Sequence, residues 1–164
     1  MPSGYRPAVE TFSILSESTE TTKALGERIG EGLSGGEVIL LSGPLGVGKT
    51  TLAQGIALGL GISARVQSPS FVLERIHRGR LTLRHLDFYR LAPGDAEDAG
   101  FFSEQDESAV TVVEWAERTE GIPEAVFRMS ISFVPGQPDT RVIVVETGLP
   151  EWGDKIKDAV REIH

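Results

Sequence analysis

Residues 43–50 read Gly-Pro-Leu-Gly-Val-Gly-Lys-Thr, which matches the pattern G-x-x-x-x-G-K-[ST] of a phosphate-binding loop. Glycines in such a loop let the backbone curl until successive N–H groups converge on phosphate oxygens. The pattern needs a strand before it and a helix after it. Here the apolar run EVILLS at 37–42 predicts a buried strand, and residues 49–60 predict a helix with one apolar side. The segment therefore predicts a phosphate site, and a glycine-rich turn without a ligand is the alternative.

The last residues of this loop carry side chains that suit a nucleotide. Lys49 is placed to reach the β- and γ-phosphates as a point charge, and the Thr50 hydroxyl is placed to ligate Mg²⁺. A helix that begins near Gly48 adds the positive end of its dipole. The loop is thus predicted to hold the phosphates of a nucleotide together with Mg²⁺.

Two other glycine patterns lie just before the loop. Residues 30–35 match the dinucleotide fingerprint G-x-G-x-x-G, and residues 32–36 match the hydrolase pattern G-x-S-x-G. Both patterns require a strand before them and a helix after them. In this chain a predicted helix comes before and a predicted strand comes after, so both are predicted to be a helix end and a turn.

Two acidic residues each follow an apolar run that predicts a strand. Asp87 follows residues 81–86, and Glu114 follows residues 109–113. An acid just past a buried parallel strand lies at the carboxyl edge of the sheet, where nucleotides bind. A phosphate-binding loop needs a carboxylate on a neighbouring strand to hold Mg²⁺ and order water. For each acid alone, a capping or surface position is the alternative.

The tripeptide Ser68-Pro69-Ser70 lies downstream of the loop's helix, where switch segments of such folds sense the γ-phosphate. A serine hydroxyl at this place would bond phosphate or Mg²⁺. Taken alone, the tripeptide indicates no more than a turn.

The rest of the chain predicts one α/β domain. Ser18 predicts the N-cap of a helix that runs to about Leu33, and residues 1–12 predict a loose start. The further predicted elements are strands 71–76 and 80–86 around a turn at 77–79, a strand at 109–115, a hairpin of 127–134 and 141–147, and a helix at 153–164. Residues 1–164 are therefore expected to form a single P-loop domain of three layers, with residues 1–12 and 150–164 peripheral. Its central sheet is expected to be mostly parallel with a late antiparallel hairpin.

Composition excludes several classes of function. The chain has 164 residues, a net charge of −8, no cysteine and three histidines, so thiol catalysis, disulfides and thiolate metal sites are excluded. No apolar run is long enough for a membrane span, and the first residues lack a signal pattern, so a cytoplasmic protein is expected. The acidic balance argues against autonomous binding of DNA or RNA. Charge is uneven, because residues 61–90 carry six arginines against two acids, and residues 91–126 carry ten acids against one arginine.

Sequence motifs that are absent from the chain limit which nucleotide it is expected to bind and which reaction it is expected to catalyse. Asparagine is absent, so the Asn-Lys-x-Asp segment that recognises guanine is impossible, and ATP is the better candidate. Many small-molecule kinases carry a paired Asp-x-Asp on the strand after the first helix, and this chain has no such pair. The basic hairpin at 75–84 would still serve as a kinase lid, so a small-molecule kinase stays open as the alternative.

Four segments together resemble the TsaE family, the ATPase component of the bacterial machinery that makes threonylcarbamoyladenosine in tRNA. These segments are the phosphate-binding loop, SPSF at 68–71, HLDFYRL at 85–91 and VEWAER at 113–118. The similarity runs from about Ser18 to Thr147. The combination is specific, although no single segment after the first is.

The resemblance implies a role for particular residues. Lys49 would bind phosphates, Thr50 and Glu114 would hold Mg²⁺, and Asp87 would support the water or the metal, so that Lys49, Asp87 and Glu114 form the catalytic set. Trp115 would be a sensitive neighbour of the metal site. The residues implied to bind ATP are Thr19, Gly46, Val47, Gly48, Lys49, Thr50 and Thr51, and those implied for the switch are Ser68 and Ser70.

The resemblance also implies partners. The family works with TsaB and TsaD, its members are poor ATPases alone, and tRNA would be met only through the complex. Arginines of the basic hairpin are expected to contact partner or tRNA phosphates; they are Arg75, Arg78, Arg80 and Arg84. Two positions depart from the family pattern: Pro44 stands where aspartate is usual, and Ser70 replaces threonine but keeps the hydroxyl.

Overall fold

The structure is a computed structural model that describes residues 9–63, 66, 74–89, 106–116 and 127–164. Its elements, in chain order, are β1 (Glu10–Ser16), α1 (Thr19–Glu31), β2 (Val38–Ser42), α2 (Lys49–Gly59), β3 (Glu74–Arg78), β4 (Thr82–Asp87), β5 (Ala109–Glu114), β6 (Phe127–Val134), β7 (Gln137–Thr147) and α3 (Pro150–Ile163). None of the helices within these ranges is long and apolar enough to cross a membrane.

The seven strands form one sheet in the order β1-β7-β6-β2-β5-β4-β3. The four central strands β6, β2, β5 and β4 are parallel, whereas both edges of the sheet are antiparallel. The predicted α/β P-loop fold is confirmed, with the parallel part of the sheet confined to its centre. β2 lies in the middle, so the loop that follows it emerges between two parallel neighbours.

Alternation along the central strands divides the core between the two faces of the sheet. Ile39 and Leu41 of β2 pack with all three described helices in one large cluster, whereas Leu40 belongs to a smaller cluster on the opposite face. This explains why the sequence of β2 is continuously apolar, since a strand covered on both faces buries every side chain. The described helices form one layer, and the predicted third layer stays a prediction.

The contact between α1 and α2 is made by backbone. Gly26 and Gly30 of α1 face Gly55 and Gly59 of α2, and a Cβ added at any of the four would collide with backbone of the other helix. At Gly26, for example, it would lie 2.5 Å from the Leu52 carbonyl oxygen. Gly26 lies against Gly55 and Gly30 against Gly59, so residue numbers increase in the same direction along both helices. The two helices are therefore parallel, and their N-termini lie side by side.

Both ends of the chain's described part differ from the prediction. The loose start predicted for residues 1–12 is wrong at residues 10–12, because β1 begins at Glu10 and pairs with β7 along its whole length, whereas residues 1–8 lie outside the described residues. Only Ile14 and Ser16 of β1 are buried, which leaves a weak apolar signal in the sequence. At the other end, α3 begins at Pro150 rather than at residue 153 and buries Trp152 and Ile156, so it is part of the core and not peripheral.

The hairpin of β3 and β4 turns later than predicted. His77 and Arg78 lie in β3, so the turn covers residues 79–81 rather than 77–79. The following arginine holds this turn against the helices: Arg80 donates through its terminal guanidinium nitrogens to the carbonyls of Leu33 and Gly30 at 2.9 Å each. A cation at the carboxyl ends of helices complements their dipoles.

Candidate nucleotide site

The phosphate-binding loop curls around open space. Gly43, Gly46 and Gly48 have φ values of 145°, 77° and 126°, a region that side chains other than glycine rarely adopt. A Cβ added at Gly46 or Gly48 would meet no atom within 4 Å. Val47 is buried in the core, so it offers only its backbone to a ligand. The loop is therefore a backbone cradle of the kind that accepts phosphate oxygens.

Two helix N-termini point toward this cradle. α2 begins at Lys49, and its N-cap Gly48 provides no side-chain hydrogen bond to cap it. α1 is capped by Ser18, whose Oγ accepts from the Thr21 N–H at 3.0 Å. The parallel contact of the helices brings these ends together, and their positive dipole ends favour an anion between them.

A cavity of about 110 Å³ lies between these ends. Five of the residues predicted to bind ATP line it together: Thr19, Gly46, Val47, Gly48 and Thr51. The remaining lining residues are Ser18, Thr22, Asp139 and Arg141. The structure thus joins the N-terminal threonine, predicted from the resemblance, to the loop.

Arg141 is a site residue that the sequence did not reveal. Its Nε donates to the Val47 carbonyl at 2.7 Å, and another guanidinium nitrogen donates to the carbonyls of Pro138 and Thr140 at 2.6 and 3.0 Å. This side chain fastens the loop to β7. No local pattern marks it, because the bond depends on the position of β7 in the sheet.

Lys49 is buried under the loop that it belongs to. Its Nζ donates to the carbonyls of Gly43 and Pro44 at 2.6 and 3.1 Å, and it lies 4.0 Å from the centroid of the Trp115 ring. Pro44 accepts this hydrogen bond through its backbone carbonyl. Aspartate has the same backbone carbonyl, so the replacement of aspartate by proline does not remove the acceptor. Trp115 follows β5 with a φ of 59°, and its ring lies 4.8 Å from that of Tyr89 between centroids.

The two predicted carboxylates lie side by side. Asp87 and Glu114 are Cα partners at the ends of β4 and β5, and Glu114 is also the partner of Leu41 at the end of β2. Both acids are buried. The Asp87 carboxylate accepts from the Tyr89 N–H at 2.9 Å. The parallel strands thus place both acids at the edge of the sheet from which the loop emerges.

His85 is a second residue that the sequence analysis missed. Its Nε2 lies 2.6 Å from Oε2 of Glu114, and both side chains are buried. The signal was present, because His85 and Asp87 are two residues apart on one strand and so share a face. His77 lies on the neighbouring strand β3, two residues after Arg75, which is the Cα partner of His85. Burial lowers the pKa of His77, and the charges of His85 and Arg75 lower it further.

The residues present fit a Mg²⁺-bound nucleotide. No group of three or more His, Cys, Asp or Glu side chains within the described ranges could hold a metal ion unaided. Mg²⁺ commonly takes only one or two protein oxygens and completes its shell with substrate phosphates and water. Thr50 in the first turn of α2, Asp87 and Glu114 supply oxygens of that kind. Ser68 and Ser70 lie outside the described residues.

The other glycine patterns are structural, as predicted. The Glu37 carboxylate accepts from the backbone N–H and hydroxyl of Ser34 and from the Gly35 N–H, at 2.8, 3.1 and 2.6 Å. Gly35 and Gly36 have φ values of 114° and 86°. These bonds hold the turn that joins α1 to β2.

Comparison with known proteins gives consistent findings. A sequence model described as "Threonylcarbamoyl adenosine biosynthesis protein TsaE" matches residues 16–143. A Streptomyces coelicolor "tRNA threonylcarbamoyladenosine biosynthesis protein TsaE" is 38% identical over 136 residues, which are 79% of this chain and 91% of that protein. The Mycobacterium tuberculosis (strain H37Rv) protein of the same description is 46% identical over 110 residues, or 60% of this chain. The match spans 64% of that mycobacterial protein's length.

The fold is also similar to a solved structure. The crystal structure of Bacillus subtilis YdiB aligns with a TM-score of 0.72 and 26% sequence identity. The alignment covers 96% of this chain and 99% of the YdiB chain. The likeness therefore extends over nearly the whole of both chains.

Proposed function

This chain belongs to the TsaE family, and from that premise we propose that it is a Mg²⁺-dependent ATPase subunit supporting threonylcarbamoyladenosine modification of tRNA. The observation that carries the proposal is the meeting of Asp87 and Glu114 beside the loop that contains Lys49. A loop for phosphates and a carboxylate pair for metal and water are the two parts that phosphoryl transfer needs.

The loop residues bind and orient ATP in this proposal. Backbone N–H groups of residues 46–51 and the N-terminus of α2 receive the phosphate oxygens, while Lys49 neutralises charge on the β- and γ-phosphates. Thr19 and the Arg141 side of the cavity face the rest of the nucleotide. Catalysis then consists of positioning and charge neutralisation, without a covalent intermediate.

The carboxylates and the switch residues act on the metal and the water. Thr50 and Glu114 would hold Mg²⁺, which when bound neutralises phosphate charge, and Asp87 would orient the attacking water or the metal's water shell. Trp115 lies directly after Glu114 and against Lys49, so it links the metal side to the phosphate side. Ser68 and Ser70 remain the proposed first switch.

The partners proposed for this chain are TsaB- and TsaD-like proteins in the cytoplasm, with tRNA met only through their complex. Of the hairpin arginines, Arg80 bonds the helix ends and Arg84 pairs with Glu74 at 2.7 Å. Arg75 and Arg78 are exposed and remain the candidates for contact with partner or tRNA phosphates.

The test is phosphate release from Mg-ATP, measured with this protein alone and then with TsaB and TsaD from the same organism. We expect slow release alone and strong stimulation by the partners, lost in Glu114→Ala. Fast release alone that ignores the partners would overturn the proposal in favour of the small-molecule kinase, whose mark is a phosphorylated acceptor. Partner affinity that persists in Glu114→Gln without any turnover would indicate a nucleotide-gated adaptor instead.

A further inference from the structure

The side chain of Glu114 is held by a single neighbour within the described part of the chain. Its Oε2 lies 2.6 Å from Nε2 of His85, and the two side chains are 3% and 0% exposed. Because a carboxylate can only accept, the imidazole Nε2 carries the proton and donates it to this bond. One oxygen of Glu114 is therefore committed to His85, and the other is left for a second ligand.

The position of His85 is fixed by the sheet. It lies inside β4, with Val112 of β5 and Arg75 of β3 as its Cα partners on the two sides. Its Nδ1 is buried and has no hydrogen-bond partner among the described residues. The bond to Glu114 is thus the one polar contact seen for this ring, so packing and this bond together decide its orientation.

We propose that His85 is a positioning residue that sets the direction of the Glu114 carboxylate toward Mg²⁺. The inference rests on the proposed function and deepens it by adding a residue that acts on the metal through another side chain. A short, buried, charge-assisted hydrogen bond restricts the rotation of a carboxylate. Partners of metal ligands commonly change metal affinity by about 10–100-fold when they are removed.

Two amide substitutions separate this role from packing. In His85→Gln the amide N–H reaches about the position of Nε2, so the donor to Glu114 is kept. In His85→Asn the shorter side chain places its amide near Nδ1, so a polar group is kept but the donor to Glu114 is lost. The matched control is His77→Gln, because His77 is a nearby imidazole on β3, and within the described residues Glu114 is hydrogen-bonded to His85 and not to His77.

The readout is the binding of fluorescent N-methylanthraniloyl-ADP, titrated first without metal and then with increasing Mg²⁺. We expect His85→Asn to raise the Mg²⁺ concentration for the half-maximal effect by about 10–100-fold, with metal-free affinity unchanged. His85→Gln should stay within about threefold of the wild type, as should His77→Gln. In a Glu114→Gln background, His85→Asn should add nothing, because the carboxylate it positions is gone.

Several outcomes would overturn the inference. A wild-type Mg²⁺ response in His85→Asn, or a response in His85→Gln as weak as in His85→Asn, shows that the donor at Nε2 does not position the metal carboxylate. An equal loss of metal-free affinity shows a structural role. If the wild-type protein itself binds no nucleotide, the proposed function fails and the positioning role fails with it. If the wild type binds nucleotide and only the variant results disagree, the positioning role fails alone.

Discussion

Arg141 donates its Nε–H to the Val47 carbonyl at 2.7 Å and so ties β7 to a loop that lies 94 positions earlier in the chain. Val47 sits between the two glycines that open the phosphate cradle. Part of the free energy that holds this glycine-rich loop in one conformation is therefore supplied by β7, which is separated from β2 by β6 in the sheet.

Loss of this bond is expected to weaken nucleotide binding. Arg141→Ala removes a charge-assisted hydrogen bond worth about 1.5–3 kcal/mol, and we expect a loss of ADP affinity of about tenfold or more by isothermal titration calorimetry. The exposed Arg161→Ala on α3 serves as the control. Equal affinity of Arg141→Ala and wild type would show that the loop keeps its shape without this bond.

The glycine contact between α1 and α2 is expected to tolerate no side chain. Gly55→Ala places a Cβ against the Lys23 carbonyl oxygen, so the helices must separate. We expect a decrease of about 1–3 kcal/mol in the free energy of unfolding, as for overpacking. Urea denaturation measures it, with Gly148→Ala as the control because a Cβ at Gly148 meets nothing. A stable Gly55→Ala protein would contradict the close backbone contact.

Removal of the Arg80 side chain is expected to cost stability without affecting the nucleotide site. The guanidinium reaches the carboxyl ends of α1 and α2, at the opposite end of both helices from the cradle. Arg80→Ala should lower the free energy of unfolding by about 1–2 kcal/mol and leave ADP affinity unchanged. The exposed neighbour Arg78→Ala should change neither quantity. If Arg80→Ala instead weakens ADP binding, the two ends of the helices are energetically coupled.

Stability is expected to fall in mildly acidic solution through His77. Burial, with the charges of His85 and Arg75, lowers the pKa of His77 below its ordinary value of 6.5. As the pH falls through about 6.5, the unfolded chain takes up a proton that the folded protein does not, so the free energy of unfolding decreases toward the folded pKa. His77→Gln should therefore lose less stability than wild type between about pH 7.5 and 5.5 in urea titrations. Parallel pH profiles of the two proteins would refute this assignment.

The parts of the site that the sequence predicted are those with a local signal. The loop at 43–50 is contiguous, and Asp87 and Glu114 each end an apolar run, so strand polarity alone brings the two acids to one edge. Thr19 was placed by resemblance, and the geometry of α1 puts it in the same cavity.

The parts that the sequence did not predict depend on register and strand order. No spacing rule connects Arg141 with Val47, and the two-residue spacing of His85 and Asp87 shows that they share a strand face but not that His85 meets Glu114. β1 was missed because few of its side chains face inward, and its pairing with β7 makes it a strand. In each case pairing between distant parts of the chain determines the contact or the secondary structure, which the local sequence pattern does not specify.

The glycine contact also has a mechanical consequence. At its four glycines backbone lies against backbone, so no change of side-chain rotamer there can absorb a displacement between α1 and α2. A displacement of α2 would therefore be passed on to α1. The Ser16 and Thr22 hydroxyls are hydrogen-bonded at 2.7 Å, which ties α1 in turn to the edge strand β1. The phosphate-binding loop after the central strand β2 is in this way mechanically connected to β1 at the edge of the sheet.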